Sequence, residues 1–334
     1  MSNMRSLICF LLFIAAPLIG FSQSEDLSLA ELKTQYLKKR SSFASSSTKV
    51  ITTEQQTELN ALVAQLQAKD AESFEYNLIL WINGNYNTAL QENLFKAYTL
   101  NSADETVVRE MLGFYLITSN LAKQKEFLTK VQKHYTSAEL AYYQDAIPTV
   151  KSILVSSNQE DMYGFLIAQT AFGKGTDVQL VNLDFMKNES YREMVSNNSG
   201  ITDITFLGNE KNYLKTMLGG SAKKIFISAT VPQEYLSSVS DKIYLTGLSY
   251  QYGNIDQFAA LNDFWKKMKS KDLTQITLSK SAESKLYGNY LPPLLTLYMM
   301  QPGDALLKTT IRSIAEKVGK TAEVDDILKE IDAG

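Results

Sequence analysis

Apolar positions along the chain change their period twice. Between Thr53 and about Ala146 they recur three and four residues apart, in LNALVAQL, FEYNLILWI, ALQENLFKAYTL, VVREMLGFYLI and EFLTKVQKHY, the spacing that keeps one face of an α-helix apolar. After Pro148 the runs shorten and fill with β-branched residues. SILVSS, VQLVNLDF, DITFLG and KKIFISAT predict strands, and MYGFLIAQTAF, ESYREMVSN and EKNYLKTML between them predict helices. Strand and helix in alternation imply a parallel sheet with crossover helices. KIYLTGLSYQY, after the Pro232 loop, mixes polar with apolar positions and predicts a fifth strand at an edge. From Ile255 helical spacing returns in DQFAALNDFWKKM, ESKLYGNYLPPLLTLYMM, DALLKTTIRSIAEKV and AEVDDILKEI, where Pro292 and Pro293 must start or kink a helix. Ahead of all this, SEDLSLAELKTQYLKKR reads as a short amphipathic helix capped by Ser24 or Ser28, and Ser41 to Lys49 as a Ser-rich linker. The expected fold class is α + α/β. A helical-hairpin unit covers 53–147, a mainly parallel α/β domain 148–254, and C-terminal helices closing it 255–334, with the helix and linker in 23–52.

GNYNTALQENLFKAYTLN, Gly84 to Asn101, resembles the tetratricopeptide repeat, whose helix pair turns at G-x-Y-x-x-A and ends in K-A-x-x-L-N. Gly84 permits the tight turn, while Tyr86 and the small Ala89 let the second helix approach the first. Leu112, Gly113 and Asn120 match the first helix and turn of a following repeat. Its second helix, KQKEFLTKVQKHY, lacks the alanines of the motif, and Ala89 and Ala97 stand one residue too far apart. The resemblance implies at least two hairpins stacked as a short solenoid, whose concave face ordinarily binds protein partners.

The first residues change the compartment. MSNMRSLICFLLFIAAPLIGFS, 1–22, has Arg5, an apolar run from Leu7 to Phe21, and small Gly20 and Ser22 at the −3 and −1 positions before Gln23, which is the form of a cleaved secretory signal peptide. The competing reading is a retained anchor, but the run is shorter than the roughly 18 apolar residues a span needs, and Pro17 interrupts it. Cys9, the only cysteine, lies inside that run, so the processed chain has no thiol for disulfides, thiolate zinc or nucleophilic catalysis. The whole chain carries a net charge of −3, and loss of Arg5 leaves −4, which gives no electrostatic reason to expect nucleic acid. The basic clusters Lys38 to Arg40 and Lys266 to Lys271 read as solvated helix ends.

From about residue 150 to 320 the sequence resembles the soluble C-terminal region of a bacterial family of multi-spanning membrane proteins related to protein O-mannosyltransferases. The resemblance rests on ILVSSNQEDMYGFLIAQ, DVQLVNLDFMKNESY, KKIFISATVPQEYL, IYLTGLSYQY and NYLPPLLTLYMMQPGDALLK. In that family the first strand enters an acidic turn, G-D-N-D-T-Y-P. The matching residues are Asn158, Gln159, Glu160, Asp161, Met162, Tyr163 and Gly164, of which Asp161 and Tyr163 keep the family identity. The membrane-spanning half, where a transferase site would lie, has no counterpart after the leader, so transferase activity is not implied.

Candidate chemistry is sparse. His134 is the only histidine, sits among lysines in KVQKHYTS, and has no G-x-S-x-G elbow to partner it; an exposed surface residue is expected. Metal sites using two histidines are excluded by count, and only oxygen-ligand sites for calcium or magnesium remain open. GKGTD, Gly173 to Asp177, lacks the phosphate-loop pattern and reads as a helix C-cap, and LGGSAKK, Leu218 to Lys224, as a helix stop. Asp184, Glu189 and Asp203 lie where caps and helix dipoles explain carboxylates. Asn158, Gln159, Glu160, Asp161 and Tyr163 are the candidate ligand residues, because the turn after the first strand opens at the carboxyl edge of a parallel sheet. With Ser157 they could bind a cation or a sugar hydroxyl; the competing expectation is that Asp161 caps the helix and Glu160 lies in solvent. The 18 tyrosines and 15 phenylalanines, several in SYQYGN and KLYGNYLPP, suit glycan or protein contact, or simply helix packing. No catalytic residue, cofactor or metal is expected. The function expected is that of an exported, periplasmic or secreted, non-catalytic interaction or scaffold protein binding envelope proteins through the concave helical face. The alternative is an α/β domain that binds or acts on glycans or envelope precursors.

Overall fold

The computed structural model describes residues 27–44, 51–201, 204, 210–237 and 239–333. The expected leader, Asp203 and the later part of the Ser-rich linker lie outside the described residues. So does DITFLG apart from Ile204, which is in no strand.

The N-terminal helices are α1 (Leu29–Ala44), α2 (Thr53–Asp70), α3 (Phe74–Asn83), α4 (Gln91–Leu100), α5 (Glu105–Ile117), α6 (Leu121–Gln132) and α7 (Ser137–Ala146). Side chains that accept the orphan N–H groups fix most of their starts. Ser28 and Glu31 exchange bonds at α1, Thr52 and Gln55 at α2, and Thr136 and Glu139 at α7. Ser41–Ala44, expected as linker, is instead the last turn of α1, held because Phe43 packs against the core. Consecutive helices from α1 to α6 pack on one another as hairpins. At the α3–α4 turn the left-handed conformation falls on Asn85 (φ 50°) and Tyr86 (φ 63°), whereas Gly84 is right-handed (φ −74°). Gly84 is needed for close approach, since a Cβ there would overlap the Leu90 side chain. Ala89 lies in a 3-10 turn, Thr88–Leu90, which takes up the extra residue before Ala97.

After α7 come β1 (Ser152–Ser156), α8 (Gln159–Phe172), β2 (Val178–Asn182), α9 (Glu189–Ser199), α10 (Glu210–Gly220), β3 (Ile225–Ser228), α11 (Gln233–Leu236), β4 (Ile243–Leu245) and β5 (Ser249–Tyr252). They form one sheet in the order β2-β1-β3-β5-β4. β1 runs parallel to β2 and β3, and β5 antiparallel to β3 and β4, so the sheet is mixed rather than mainly parallel. KIYLTGLSYQY is not one edge strand but the β4–β5 hairpin. The chain reverses at Gly247, whose φ of 136° favours glycine and where a Cβ would come 2.8 Å from the Phe264 ring. The segment Gly173 to Asp177 does end a helix, with Gly173 left-handed at the C-cap of α8 (φ 63°).

The strands alternate faces as a buried sheet requires. Ile153, Val155, Val181, Ile225 and Ile227 join one core with α9, α10 and the N-terminal helices, while Leu154, Val178 and Phe226 join a second. The second core holds α7 and the C-terminal helices α12 (Gln257–Lys269), α13 (Ser281–Gly288), α14 (Leu291–Met300), α15 (Ala305–Lys317) and α16 (Thr321–Ala333). Pro292 and Pro293 stand in the first turn of α14, where a missing N–H leaves nothing unsatisfied. Tyr287 and Tyr290 of KLYGNYLPP are buried in this core. The Lys266 to Lys271 cluster is more than a solvated helix end: Lys267 and Lys271 both reach the buried carboxylate of Asp145 at the end of α7, which also accepts a 2.9 Å bond from the Tyr290 hydroxyl.

α7 and α8 touch without space between them at Gly164, where a Cβ would overlap the Tyr143 ring. That ring is itself wedged edge-on against Tyr142 (5.4 Å) and Phe165 (5.2 Å) and cannot retreat. Gly164→Ala is therefore expected to destabilise the fold by about 1–3 kcal/mol. Urea denaturation checks this, and an unchanged midpoint would contradict the packing described.

Candidate functional site

Three parallel strands end in buried polar residues: Ser156 on β1, Asn182 on β2 and Ser228 on β3. In the order β2-β1-β3 the chain leaves β1 to one side and returns to its other side, so a ligand crevice would open between the carboxyl ends of β1 and β3. The first turn of α8 and the turn after β3 occupy that place.

Asn158, not Asp161, caps α8. Its Oδ1 accepts the Asp161 N–H at 2.8 Å, and its Nδ2 donates to Asp161 Oδ2 at 2.7 Å. Asp161, on the first helical turn, is only 2% exposed. It accepts a 3.0 Å bond from the Tyr143 hydroxyl of α7 and a short one from the Thr230 hydroxyl beyond β3. Thr230 lies 2.7 Å from the Ser228 hydroxyl. Asn182 completes the edge: its Nδ2 donates to the Asn158 carbonyl, and its Oδ1 accepts from the N–H groups of Asp184 and Phe185. A fully buried Ser157 adjoins them.

The remaining candidates face the N-terminal helices. The Tyr163 hydroxyl donates to the Arg109 carbonyl of α5 at 2.8 Å, and Gln159 reaches Glu110 at 3.4 Å. Gly113 makes room for both, since a Cβ there would stand 2.9 Å from the Tyr163 oxygen. Glu160 is not simply in solvent. Although its side chain is 56% exposed, it pairs with Arg109, and the Tyr135 hydroxyl donates to its carbonyl at 2.7 Å. Tyr86 of the α3–α4 turn, half-buried, meets Phe185 edge-on at 5.0 Å, and its carbonyl accepts from Asn188. Ala89 is exposed and takes no part. Helix α5 and the α3–α4 turn thus lie against the start of α8 and the 3-10 segment Asp184–Lys187, and α6 also packs on α8. His134 stands at the same rim, with Nδ1 3.4 Å from Glu105, which also pairs with Arg109.

Sequence reasoning brought Asn158 to Asp161 to the sheet edge and missed Tyr143, Thr230, Asn182, Arg109 and Glu110. Two of these carried a signal. Thr230, the last residue of KKIFISAT, stands two residues beyond β3 as Asn158 stands two beyond β1, and Glu110 interrupts the apolar stripe of VVREMLGFYLI. Trp81 donates its indole N–H to Glu110 at 2.8 Å.

Both Asp161 oxygens accept hydrogen bonds, so this carboxylate is a poor general base and a poor cation ligand as it stands. Among the described residues no group of three or more His, Cys, Asp or Glu gathers to hold a metal ion, and no helix is long and apolar enough to cross a membrane. No family model, curated protein or solved structure matches the chain.

Burial pushes the Glu110 carboxyl above the usual carboxylate range, against the opposing pulls of the Trp81 N–H and the Arg40 charge. The native state therefore keeps this proton to a higher pH than the unfolded chain, which releases it from about pH 4.3 upward. Stability from this site falls as pH rises through that window and stays lower above it. Glu110→Gln, neutral throughout, is expected to exceed the wild type in stability at pH 7, with the gap closing towards pH 4. Urea titrations across that range measure it, and a gap that widened on acidification would contradict the assignment.

Proposed function

We propose that the chain is an exported, non-catalytic interaction or scaffold protein of the cell envelope, built on tetratricopeptide-like hairpins, in which the α/β unit is a structural partner of the helices. The observation that carries this reading is the saturation of Asp161 by Tyr143, Asn158 and Thr230 at the β1–β3 edge, where the sheet topology among the described residues would open a crevice. The secretory form of residues 1–22, the lone histidine and the absence of cysteine after Cys9 agree with it. Tyr163 and Gln159 of the same chain occupy the Arg109–Gly113 stretch of α5, and Phe185 meets Tyr86 of the α3–α4 turn, so this part of the helical surface is not where we place a partner. The second reading, glycan binding by the acids and polar residues at the sheet edge, requires Asp161 to be released from those donors.

Two measurements on the processed chain separate the readings. Calcium, magnesium and a panel of neutral and acidic oligosaccharides should leave the melting temperature unchanged. Asp161→Ala, which strands the buried hydroxyl of Tyr143 and takes one partner from Thr230, should cost about 2–3 kcal/mol without altering any ligand response. A saturable stabilisation by one ligand, lost in Asp161→Ala, would establish the binding-site reading instead.

A further inference from the structure

α14 and α16 both pack on α15, and between them lies an open groove of about 860 Å³. Leu295 and Met299 of α14 and Ile327 and Ile331 of α16 line it. Met299 is 60% exposed, although it stands in a helix whose mates Leu294 and Leu297 are fully buried. Three helices with an apolar cleft between the outer two present the seat of a fourth. The charge around the seat has one sign along most of its length. α14 carries no charged residue, so α16 sets it through Glu323 and Glu330. These lie two helical turns apart on the same face, about 10 Å along the axis. Lys320, at one end, is 4.0 Å from Glu323 and offsets part of its charge, so the groove lining as a whole stays negative by one.

We infer that this groove binds an amphipathic helix of a partner protein, about three turns long, with an apolar stripe along one face and Lys or Arg on its flank. The length follows from the ten residues of α14, about 15 Å of helix. The stripe must place apolar side chains at i, i+3 or i+4, and i+7 to follow the cleft. The flanking basic residues must recur at a spacing of about seven to meet Glu323 and Glu330. Methionine suits such a seat because its unbranched thioether adapts to different knobs. The inference rests on the interaction reading for the nature of its ligand, while the groove is built from other elements than the sheet edge. Ligand-induced stabilisation lost in Asp161→Ala would sink the reading and leave the groove to be judged on peptide binding alone.

The test uses the processed chain and two fluorescent synthetic helices, each of two LKKLLKL heptads or two LEELLEL heptads, read by fluorescence anisotropy. The lysine helix should bind and the glutamate helix should not. Glu323→Lys combined with Glu330→Lys, both on the surface of α16, should weaken the first about tenfold or more and admit the second. Met299→Glu should abolish binding of the lysine helix. This substitution adds negative charge, so mere attraction to an acidic protein would strengthen instead. Circular dichroism melts of the variants confirm folding. Equal binding of both helices, no binding by the wild type, or indifference to Met299→Glu would overturn the inference. So would a concentration-dependent dimer in sedimentation that Met299→Glu dissolves, because the seat would then belong to a second copy.

Discussion

A carboxylate taken out of water must be met by donors or lose its charge by taking up a proton. Asp161 meets that constraint with one donor from each of three directions: Tyr143 on α7, Asn158 at the start of its own helix, and Thr230 beyond β3. Hydrogen bonds to a charged group contribute about 1.5–3 kcal/mol each. The three together fix the position of α8 over the sheet, the seat of α7, and the turn that leaves β3. A shift of any one element strands at least one buried polar atom, so the arrangement tolerates little sliding.

The position of α8 then determines where the N-terminal helices go. With Asp161 turned inward, the neighbouring Gln159, Glu160 and Tyr163 must point the other way, and α5 receives them through Glu110, Arg109 and the space left by Gly113. The aromatic contacts run along the same seam, from Trp81 through Tyr86 to Phe185 and Tyr191. One apolar core consequently passes from α1 through α6 into one face of the sheet, while the other face belongs to the C-terminal helices. The α5 surface around Gly113 is used internally, and an open apolar groove lies at the far end of the chain, between α14 and α16.

Periodicity made the helices legible, because stripes such as those of VVREMLGFYLI are long enough to fix a period. β1 to β3 were legible for a related reason: short β-branched runs between helical stretches have few other uses. The β4–β5 hairpin was hidden because strands of three and four residues carry too little alternation to separate from one strand with a polar middle. At the candidate site the location could be read and the roles could not. Asn158 and Asp161 are both good caps, and choosing between them depends on Tyr143 and Thr230, which stand 18 and 69 residues away in the chain. The same holds for Lys271, whose partner Asp145 is 126 residues distant. Local chemistry tells which residues can accept a bond, while long-range packing determines which of them are buried.

The chain has two tryptophans, placed to report on the two ends of this arrangement. Trp81 lies in the core shared by the N-terminal helices and the sheet, and Trp265 in the core of the C-terminal helices. Equilibrium urea unfolding of Trp81→Phe and Trp265→Phe, each followed by its remaining indole, tests whether the sheet edge truly binds the helical half. The account predicts a single transition with coincident midpoints after correction for the stability of each variant. An earlier, separate transition of Trp81, with Trp265 still native, would mean that the helices are an independent domain and that the sheet edge is free for something else.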